Sequence, residues 1–265
     1  MLRHTPIITL TTDFGYRDYY VSAMKAVILS KCPEVRLVDV SHDILPQDIM
    51  AGAWILRNSA FLYPKGTIHL AVVDPGVGTK RKPIAVETKG HYFVGPDNGI
   101  FSLLSSYTEL NAFEILHDDI MKQTISSTFH GRDIFAPAAA MLANGMPIHE
   151  LGKPVEEINS YRWASPISDD EGIQGWVVHI DTYGNLITNI PKELLEKCKS
   201  QPFKIYVGTT IINSIVSTFS DVTDGETVAL IGSAGTLEIC VNKGSASEML
   251  SVYKGAPVSV VFQKA

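Results

Sequence analysis

Four short strings of the sequence combine aspartate, histidine and glycine in a way that could support acid–base chemistry or hydrogen bonding to a ligand. Three of them follow predicted strands, at residues 11–15, 39–43 and 73–78, and the fourth, residues 129–133, precedes an alanine-rich predicted helix. In open α/β sheets, ligands bind beyond the carboxyl ends of the strands. Aspartate can orient a reactant, and histidine can carry a proton near neutral pH. The strings therefore predict a polar site at one edge of a sheet.

Each string also has an ordinary structural explanation. Asp13 before a glycine could be a turn residue or a helix cap, and Asp74 before Pro-Gly is typical turn chemistry. His42 with Asp43 could cap the next helix, and His130 could begin one. The occurrence of several such strings at one sheet edge favours a functional site, because independent turns need not converge there.

The second half of the chain contains further polar strings, at residues 181–185, 233–238 and 242–246. Their small residues would let the backbone approach a ligand closely, and asparagine and serine can hydrogen-bond to the edge of a heterocycle. Ordinary hairpin turns explain the same composition.

Familiar cofactor and nucleophile motifs are missing from the sequence. Gly76 and Gly78 lack the third glycine of a dinucleotide fingerprint, and there is neither a P-loop nor a G-x-S-x-G elbow. His42, His130 and His179 could bind a metal in principle, but no H-x-x-x-H or H-E-x-x-H spacing supports it. We expect a site that uses no metal and no cofactor.

The first half of the chain, residues 1–160, alternates predicted strands and helices. Strands are predicted at 6–10, 35–40, 67–73, 84–86 and 92–94, and helices at 19–29, 48–62 and 131–143. Strands that alternate with helices of this length predict an α/β domain with a mostly parallel sheet covered on both faces.

The pattern changes after about residue 160. Residues 161–172 are polar and predict a linker, and the remainder, 173–265, consists of short β-type runs with Gly or Asn turns between them. The runs are 176–180, 186–189, 203–207, 228–231, 237–241 and 258–262. This spacing predicts a smaller all-β, barrel-like domain.

Composition narrows the class of protein. The 265 residues are 45% hydrophobic with a net charge of −6, and no basic stripe suggests a nucleic-acid partner. The first residues do not resemble a signal peptide, and no apolar run is long enough to cross a bilayer. Cys32, Cys198 and Cys240 are far apart and form no C-x-x-C pair, which is typical of free thiols in a reducing compartment. We expect a cytoplasmic protein.

Taken together, the strings resemble the S-adenosyl-L-methionine hydroxide adenosyltransferase family, relatives of the fluorinating and chlorinating adenosyl enzymes. The matching segments occur in order through nearly the whole chain: TTDFG (11–15), DVSHDI (39–44), VVDPGVG (72–78), GPDNG (95–99), FHGRDIFAPAAA (129–140), HIDTYGNLITNI (179–190) and GSAGTLEICVNKGSA (232–246). The resemblance implies an N-terminal α/β domain, a C-terminal β-barrel-like domain and a homotrimer. It also implies an active site between one subunit's N-terminal domain and its neighbour's C-terminal domain.

The resemblance also assigns roles to individual residues. The catalytic set of the family falls on Asp74, Arg81 and His130, and the aspartate that holds the ribose hydroxyls falls on Asp13. Contacts to adenine and methionine fall on Asp18, Asn185, Ser233, Glu238 and Val241. The halogenating relatives have a tyrosine where this chain has Asp74, and they carry an extra loop that is not seen here. These differences favour water over halide as the nucleophile.

The implied reaction is attack of water or hydroxide on C5′ of the ribose, which expels methionine as a neutral thioether. Arg81 could stabilise hydroxide character, and His130 could relay a proton. Asp74 could orient the water or hold the other two, and the sequence leaves open which of the three takes the proton. A nucleoside- or S-adenosylmethionine-binding protein without turnover, and halide-dependent adenosyl transfer, are the alternatives.

Overall fold

The protein is described by a computed structural model that covers residues 5–104, 110–197 and 202–263. The chain divides into two compact units, Met1–Tyr161 and Arg162–Ala265. Of the three cysteines, Cys32 and Cys240 are buried free thiols, and Cys198 lies outside the described residues. Within the covered ranges, no helix has both the length and the apolar character required to cross a membrane.

Unit 1 is built on a seven-stranded sheet with helices on both faces. Its strands are β1 (Ile7–Thr12), β2 (Arg36–Ser41), β3 (Ile68–Val72), β4 (Pro83–Thr88), β5 (His91–Pro96), β6 (Asn111–Ile115) and β7 (Gly152–Val155). Its α-helices are α1 (Tyr20–Lys31), α2 (Ile49–Ala60), α3 (Asp118–Met121) and α4 (Ala136–Ala143). A π-helical turn, Gly131–Phe135, leads directly into α4.

The sheet has the order β2-β1-β3-β5-β4-β6-β7 and is mixed, which corrects the prediction of a mostly parallel sheet. The pairings among β2, β1, β3 and β5 are parallel, whereas β5-β4, β4-β6 and β6-β7 are antiparallel. The reason is a hairpin: β4 and β5 are joined by Lys89 and Gly90, whose φ angles are +51° and +79°. Two left-handed residues make a tight turn that pairs the strands antiparallel, with no room for a crossover helix.

Alternation along the central strand β3 separates two cores. Leu70 packs in the core that includes Met24 of α1 and Ala139 of α4, whereas Ala71 belongs to the core on the other face, with Leu56 of α2. Successive strand residues point to opposite faces, so a strand covered on both sides is apolar throughout. All five residues of β3 are buried. This central position places the end of β3, where Asp74 follows, deep in the unit.

Unit 2 is a nine-stranded sheet that curls into a nearly closed barrel. Its strands are β8 (Ile167–Ser168), β9 (Gly172–Ile180), β10 (Leu186–Pro191), β11 (Phe203–Val207), β12 (Thr210–Ile212), β13 (Ile215–Val216), β14 (Thr227–Ile231), β15 (Thr236–Val241) and β16 (Pro257–Phe262). The strand order is β12-β11-β16-β9-β10-β15-β14-β13, with β8 paired to β9, and β12 lies beside β14. The helices α5 (Lys192–Lys197) and α6 (Ala246–Leu250) complete the unit.

The barrel-like unit encloses its own apolar core. Ile173 and Val177 of β9, Leu186 of β10 and Ile239 of β15 are fully or almost fully buried in it. The alternation of buried and partly exposed residues along β9 is the two-residue period expected of a strand with one face on the core. The predicted barrel-like architecture of this half agrees with the structure.

Candidate active site

Asp74, Arg81 and His130 form one hydrogen-bonded cluster in unit 1. Nε of Arg81 donates to both carboxylate oxygens of Asp74, at 3.0 and 3.1 Å, and Nη2 also donates to Oδ2. Nη2 lies 2.8 Å from Nδ1 of His130. The side chains of Arg81 and Asp74 are only 8% and 5% exposed. The structure thus brings together the three residues predicted to be catalytic, although His130 lies 49 positions beyond Arg81 in the sequence.

The loop between β3 and β4 positions Asp74 and Arg81. Val77 N–H donates to the carbonyl of Asp74 at 3.2 Å, which folds the segment back on itself before β4 begins. Gly78 has a φ of +76°, and a Cβ there would lie 2.4 Å from the carbonyl oxygen of Ser127. Only glycine fits such a close approach with a positive φ. The turn chemistry seen in the sequence therefore also sets the geometry of the Asp74–Arg81 pair.

Arg81 lies over an aromatic ring of the core. Its guanidinium lies 5.2 Å from the ring centre of Phe135, a residue that is fully buried at the end of the π-helical turn. Nη1 of Arg81 is buried and has no hydrogen-bond partner among the described protein atoms. A buried N–H that is left unpaired costs free energy, and a ligand that accepted from it would recover that cost. Nη1 is therefore an open donor at the cluster.

The contact with Arg81 determines where His130 carries its proton. A guanidinium only donates hydrogen bonds, so Nδ1 of His130 must accept and the ring proton must lie on Nε2. Burial, followed by the positive charge of Arg81, lowers the pKa of His130 below its usual value of 6.5. Both effects favour the neutral imidazole, which has Nε2–H as its remaining donor.

Asp13 lies at the end of β1, within electrostatic reach of this cluster. Its Oδ2 accepts from the backbone N–H of Gln47 at 2.7 Å. Burial is the main cause that raises the pKa of Asp13, and the negative charge of Asp74 adds to it. A carboxylate has about four lone-pair positions, so Asp13 can accept further hydrogen bonds from a ligand. Asp18, in contrast, is exposed between β1 and α1 and makes no hydrogen bond to the cluster within the described part of the chain.

The four predicted contacts of unit 2 line one cavity of about 760 Å³. They are Asn185, Ser233, Glu238 and Val241. A cavity of this size is in the range that holds a nucleoside-sized ligand. The polar strings of the second half therefore meet at one cavity. Unrelated hairpin turns would have no reason to do so.

Asp181, which the sequence analysis did not assign to the site, organises this cavity. Its Oδ1 accepts from the backbone N–H groups of Tyr183 and Asn185, both at 2.9 Å, and its Oδ2 accepts from Nδ2 of Asn185 at 2.9 Å. An aspartate four residues before an asparagine, with a glycine between them, is the signal that predicts such a turn. Tyr183 also lines the cavity and is 79% exposed. Phe135 was missed as well, because nothing in its local sequence distinguishes it from a core residue.

Glu238 contributes a second carboxylate to the wall of the cavity. A Cβ on Gly232 would lie 1.7 Å from Oε1 of Glu238, so position 232 must be glycine for the carboxylate to lie where it does. Burial raises the pKa of Glu238, and the charge of Asp181 raises it further. The wall therefore favours a ligand with hydrogen-bond donors or a positive charge.

The other sequence strings do not join the cluster. His42 is buried beside the loop of Asp13 and contacts Thr12 and Asp39, and Asp43 is exposed. Among the described residues, no group of three or more His, Cys, Asp or Glu side chains is arranged to hold a metal ion.

Comparison with known protein families covers both units. Residues 8–152 match the model of the SAM hydroxide adenosyltransferase N-terminal domain, and residues 175–259 match that of its C-terminal domain. The (R)-S-adenosyl-L-methionine hydrolase of Thermus thermophilus is 37% identical over 94% of this chain and 97% of its own length. The protein of the same name from Salinispora tropica is 38% identical over 95% of this chain and 96% of its own.

The chain is also similar to a solved structure and to a fluorinase of lower sequence identity. The crystal structure of an uncharacterized conserved protein from Thermotoga maritima superposes with a TM-score of 0.86 at 35% identity, over 96% of this chain and 99% of that one. The fluorinase of Actinoplanes sp. is 27% identical over 96% of this chain and 97% of its own.

Proposed function

Because the chain belongs to the SAM hydroxide adenosyltransferase family, we propose that it hydrolyses S-adenosyl-L-methionine to adenosine and L-methionine. The observation that carries the proposal is the buried cluster in which Arg81 contacts both Asp74 and His130. The names of relatives at 37% and 38% identity over nearly the full length support the same reaction. The sequence prediction of the family is confirmed by the family models.

The oxygen of water attacks C5′ of the ribose, and the C5′–S bond breaks with its electron pair retained by sulfur. The leaving group is a neutral thioether, so it needs no general acid. Nη1 of Arg81 and Nε2–H of His130 are the donors that would hold the attacking oxygen. Such donors stabilise an oxygen with hydroxide character in a site that is largely free of water.

We assign Asp74 as the group that accepts the proton of the attacking water. Nδ1 of His130 already accepts from Arg81, and the guanidinium has no lone pair. A carboxylate has about four lone-pair positions, and Arg81 does not occupy all of them at Asp74. In Asp74→Asn, hydrolysis should then become proportional to hydroxide concentration in the alkaline range. A rate that stays flat with pH in this variant would remove Asp74 as the proton acceptor.

Asp13 would fix the ribose for in-line attack. Its Oδ2 accepts from Gln47, and its further lone-pair positions are left to accept from the ribose hydroxyls. Holding C5′ in line with the nucleophile is a positional effect that can lower the barrier by several kcal/mol. Asp18 is the further residue of unit 1 that we assign to the substrate. Asn185, Ser233, Glu238 and Val241 are the contacts that we propose for adenine and methionine from unit 2.

The nucleophile is tested by incubation of the purified protein with S-adenosylmethionine in chloride-free buffer. Equal amounts of adenosine and methionine, measured by chromatography, are expected from the wild type and from Asp43→Ala, an exposed aspartate of another strand-end string. Asp74→Ala should give neither product. Product formation that requires added halide would favour the adenosyl transfer suggested by the fluorinase relatives. Tight binding of substrate without any turnover would favour a binding protein.

The relatives' name specifies the (R) configuration at the sulfonium, and we propose the same preference here. The sulfonium is pyramidal, so the two epimers exchange the positions of the methyl and aminobutyrate groups around sulfur. Separate assays with the two epimers should show faster hydrolysis of the (R) form. Equal rates would mean that the site does not hold both ends of the substrate.

We propose that the active protein is a homotrimer in which each site combines unit 1 of one subunit with unit 2 of its neighbour. The support is that Asp13, Asp74, Arg81 and His130 belong to unit 1, whereas the cavity with Asn185 belongs to unit 2. Co-expression of Asp74→Ala with Asn185→Ala should then restore about a quarter of the sites, because sites shared in a closed ring can pair two intact halves. No restoration is expected if each chain builds its own site.

We also propose a cytoplasmic location. Buried free thiols at Cys32 and Cys240 support a reducing compartment.

A further inference from the structure

His42 links the loop that carries Asp13 to the end of strand β2. Its ring is 1% exposed, Nδ1 lies 2.7 Å from Oγ1 of Thr12, and Nε2 lies 3.1 Å from Oδ1 of Asp39. Buried polar contacts of this kind restrict the side chains that make them. They connect the residue directly before Asp13 to the neighbouring strand.

The backbone directly after Asp13 is tied to the same two residues. Phe14 N–H donates to Oγ1 of Thr12 at 3.2 Å, and Gly15 N–H donates to the carbonyl of His42 at 2.8 Å. Oδ2 of Asp13 accepts from the backbone N–H of Gln47 at 2.7 Å, and Gln47 lies five residues beyond His42. The direction of the Asp13 side chain is therefore set by contacts from the segment that begins at His42.

The donors and acceptors of the chain have a single consistent direction. Asp39 is the ionised end: burial raises its pKa, but hydrogen bonds from Lys25, His42 and Tyr16 outweigh this and lower it to about 2. Nε2 of His42 lies 3.1 Å from Oδ1 of that carboxylate, and a proton on Nε2 avoids two facing lone pairs, which leaves Nδ1 to accept from the hydroxyl of Thr12. Thr12 uses a lone pair for Phe14 N–H. In this arrangement the hydroxyl of Thr12 donates to His42 and accepts from Phe14 N–H.

We infer that Thr12 and His42 are positioning residues, which hold the Asp13 carboxylate in the orientation that accepts the ribose hydroxyls of the substrate. The inference rests on the proposed function, in which Asp13 contacts the ribose. Thr12 and His42 do not touch the substrate in this scheme. Their loss would leave the adenine contacts of the site intact and weaken the recognition of the hydroxyls alone.

The test compares Thr12→Val, which removes the hydroxyl from a side chain of the same shape, with Thr12→Ser, which keeps it. Calorimetry with the full chain measures the affinity for adenosine and for 2′,3′-dideoxyadenosine. We expect the wild type and Thr12→Ser to prefer adenosine by about tenfold or more, as hydrogen bonds to a charged group would give. Thr12→Val should lose most of that preference while its affinity for the dideoxy compound stays within about twofold of the wild type.

Unchanged preference for adenosine in Thr12→Val would overturn the inference and leave the ribose role of Asp13 in place. A wild type that binds both nucleosides equally would instead overturn the ribose role itself, and the inference with it. If Thr12→Val does not fold, His42→Leu is compared with His42→Asn, because asparagine keeps an acceptor near the position of Nδ1. Loss of the preference in the leucine variant but not in the asparagine variant supports the inference, and equal preferences overturn it.

Discussion

Replacement of Arg81 by lysine tests whether the geometry of the guanidinium, rather than its charge, drives the reaction. Arg81 uses Nε and Nη2 for Asp74, Nη2 for His130, and keeps Nη1 unpaired among the described atoms. Lysine keeps the positive charge but presents all its donors from one nitrogen. That nitrogen can remain beside Asp74, and the donor at the position of Nη1 is then lost.

The size of the effect follows from these contacts. Loss of one donor aimed at developing negative charge costs about 10²- to 10³-fold in kcat. Loss of the whole charge would leave Asp74 buried without a partner, which costs about 3–5 kcal/mol of stability. Lysine avoids that cost, since Asp74 remains paired. We therefore expect Arg81→Lys to fold and to lose about 10²- to 10³-fold in kcat, with KM changed by less than about threefold.

The assay is the initial rate of adenosine formation over a range of S-adenosylmethionine concentrations, together with thermal unfolding. Arg57→Lys is the matched control, because Arg57 also stacks on an aromatic ring, 5.4 Å from the centre of Trp54, but lies on α2. It should keep the kcat of the wild type. A kcat for Arg81→Lys close to that of the wild type would refute the role of Nη1. Equal losses in both variants would show that the change acts through folding.

Three further predictions concern pH, the cavity of unit 2 and metal ions. In the proposed mechanism hydrolysis needs neutral His130, whose pKa is lowered by burial and by Arg81, so the midpoint of the acid decline of kcat should lie below pH 6.5. A midpoint above pH 6.5 would contradict this. Gly232→Ala would bring a Cβ to 1.7 Å from Oε1 of Glu238, so adenosine affinity measured by calorimetry should fall at least about tenfold. The control is Gly225→Ala, whose Cβ meets no atom within 4 Å. Its positive φ lowers stability, but its affinity for adenosine should equal that of the wild type. Dialysis against EDTA should leave the rate of hydrolysis unchanged, and recovery of a lost rate by one added metal would overturn the expectation of a site without metal.

Sequence patterns were reliable where the structural signal is local. The alternation of strands and helices predicted β1, α1, β2, α2 and β3 close to their observed positions, because an apolar period of 2 or 3.6 residues reports which face is buried. The sheet as a whole was not mostly parallel, since direction depends on whether a helix or a hairpin joins two strands. Lys89 is not a residue that commonly takes a positive φ, so the tight turn it forms with Gly90 gave little signal.

The candidate site shows the same division. Family resemblance picked out Asp74, Arg81 and His130 by their motifs, and the structure places them in one cluster. Nothing in the motifs predicted the ring of Phe135 beneath Arg81, because that contact depends on the packing of the π-helical turn against the loop after β3. Asp181 is a partial case: its turn could be read from the sequence, but its place in the wall of the cavity could not.

By itself, the sequence determined the family and the two-part architecture, and it predicted the candidate site residues, because these depend on residue types and short spacings. Only the tertiary structure decided how those residues act together. Arg81 and His130 are 49 positions apart in the sequence, and their contact fixes the tautomer of the histidine and leaves one arginine nitrogen open. Thr12, His42 and Asp39 likewise form a chain only when β1 and β2 pair. Hydrogen bonds require atoms to meet within about 3 Å, and the folded sheet is what brings these segments that close.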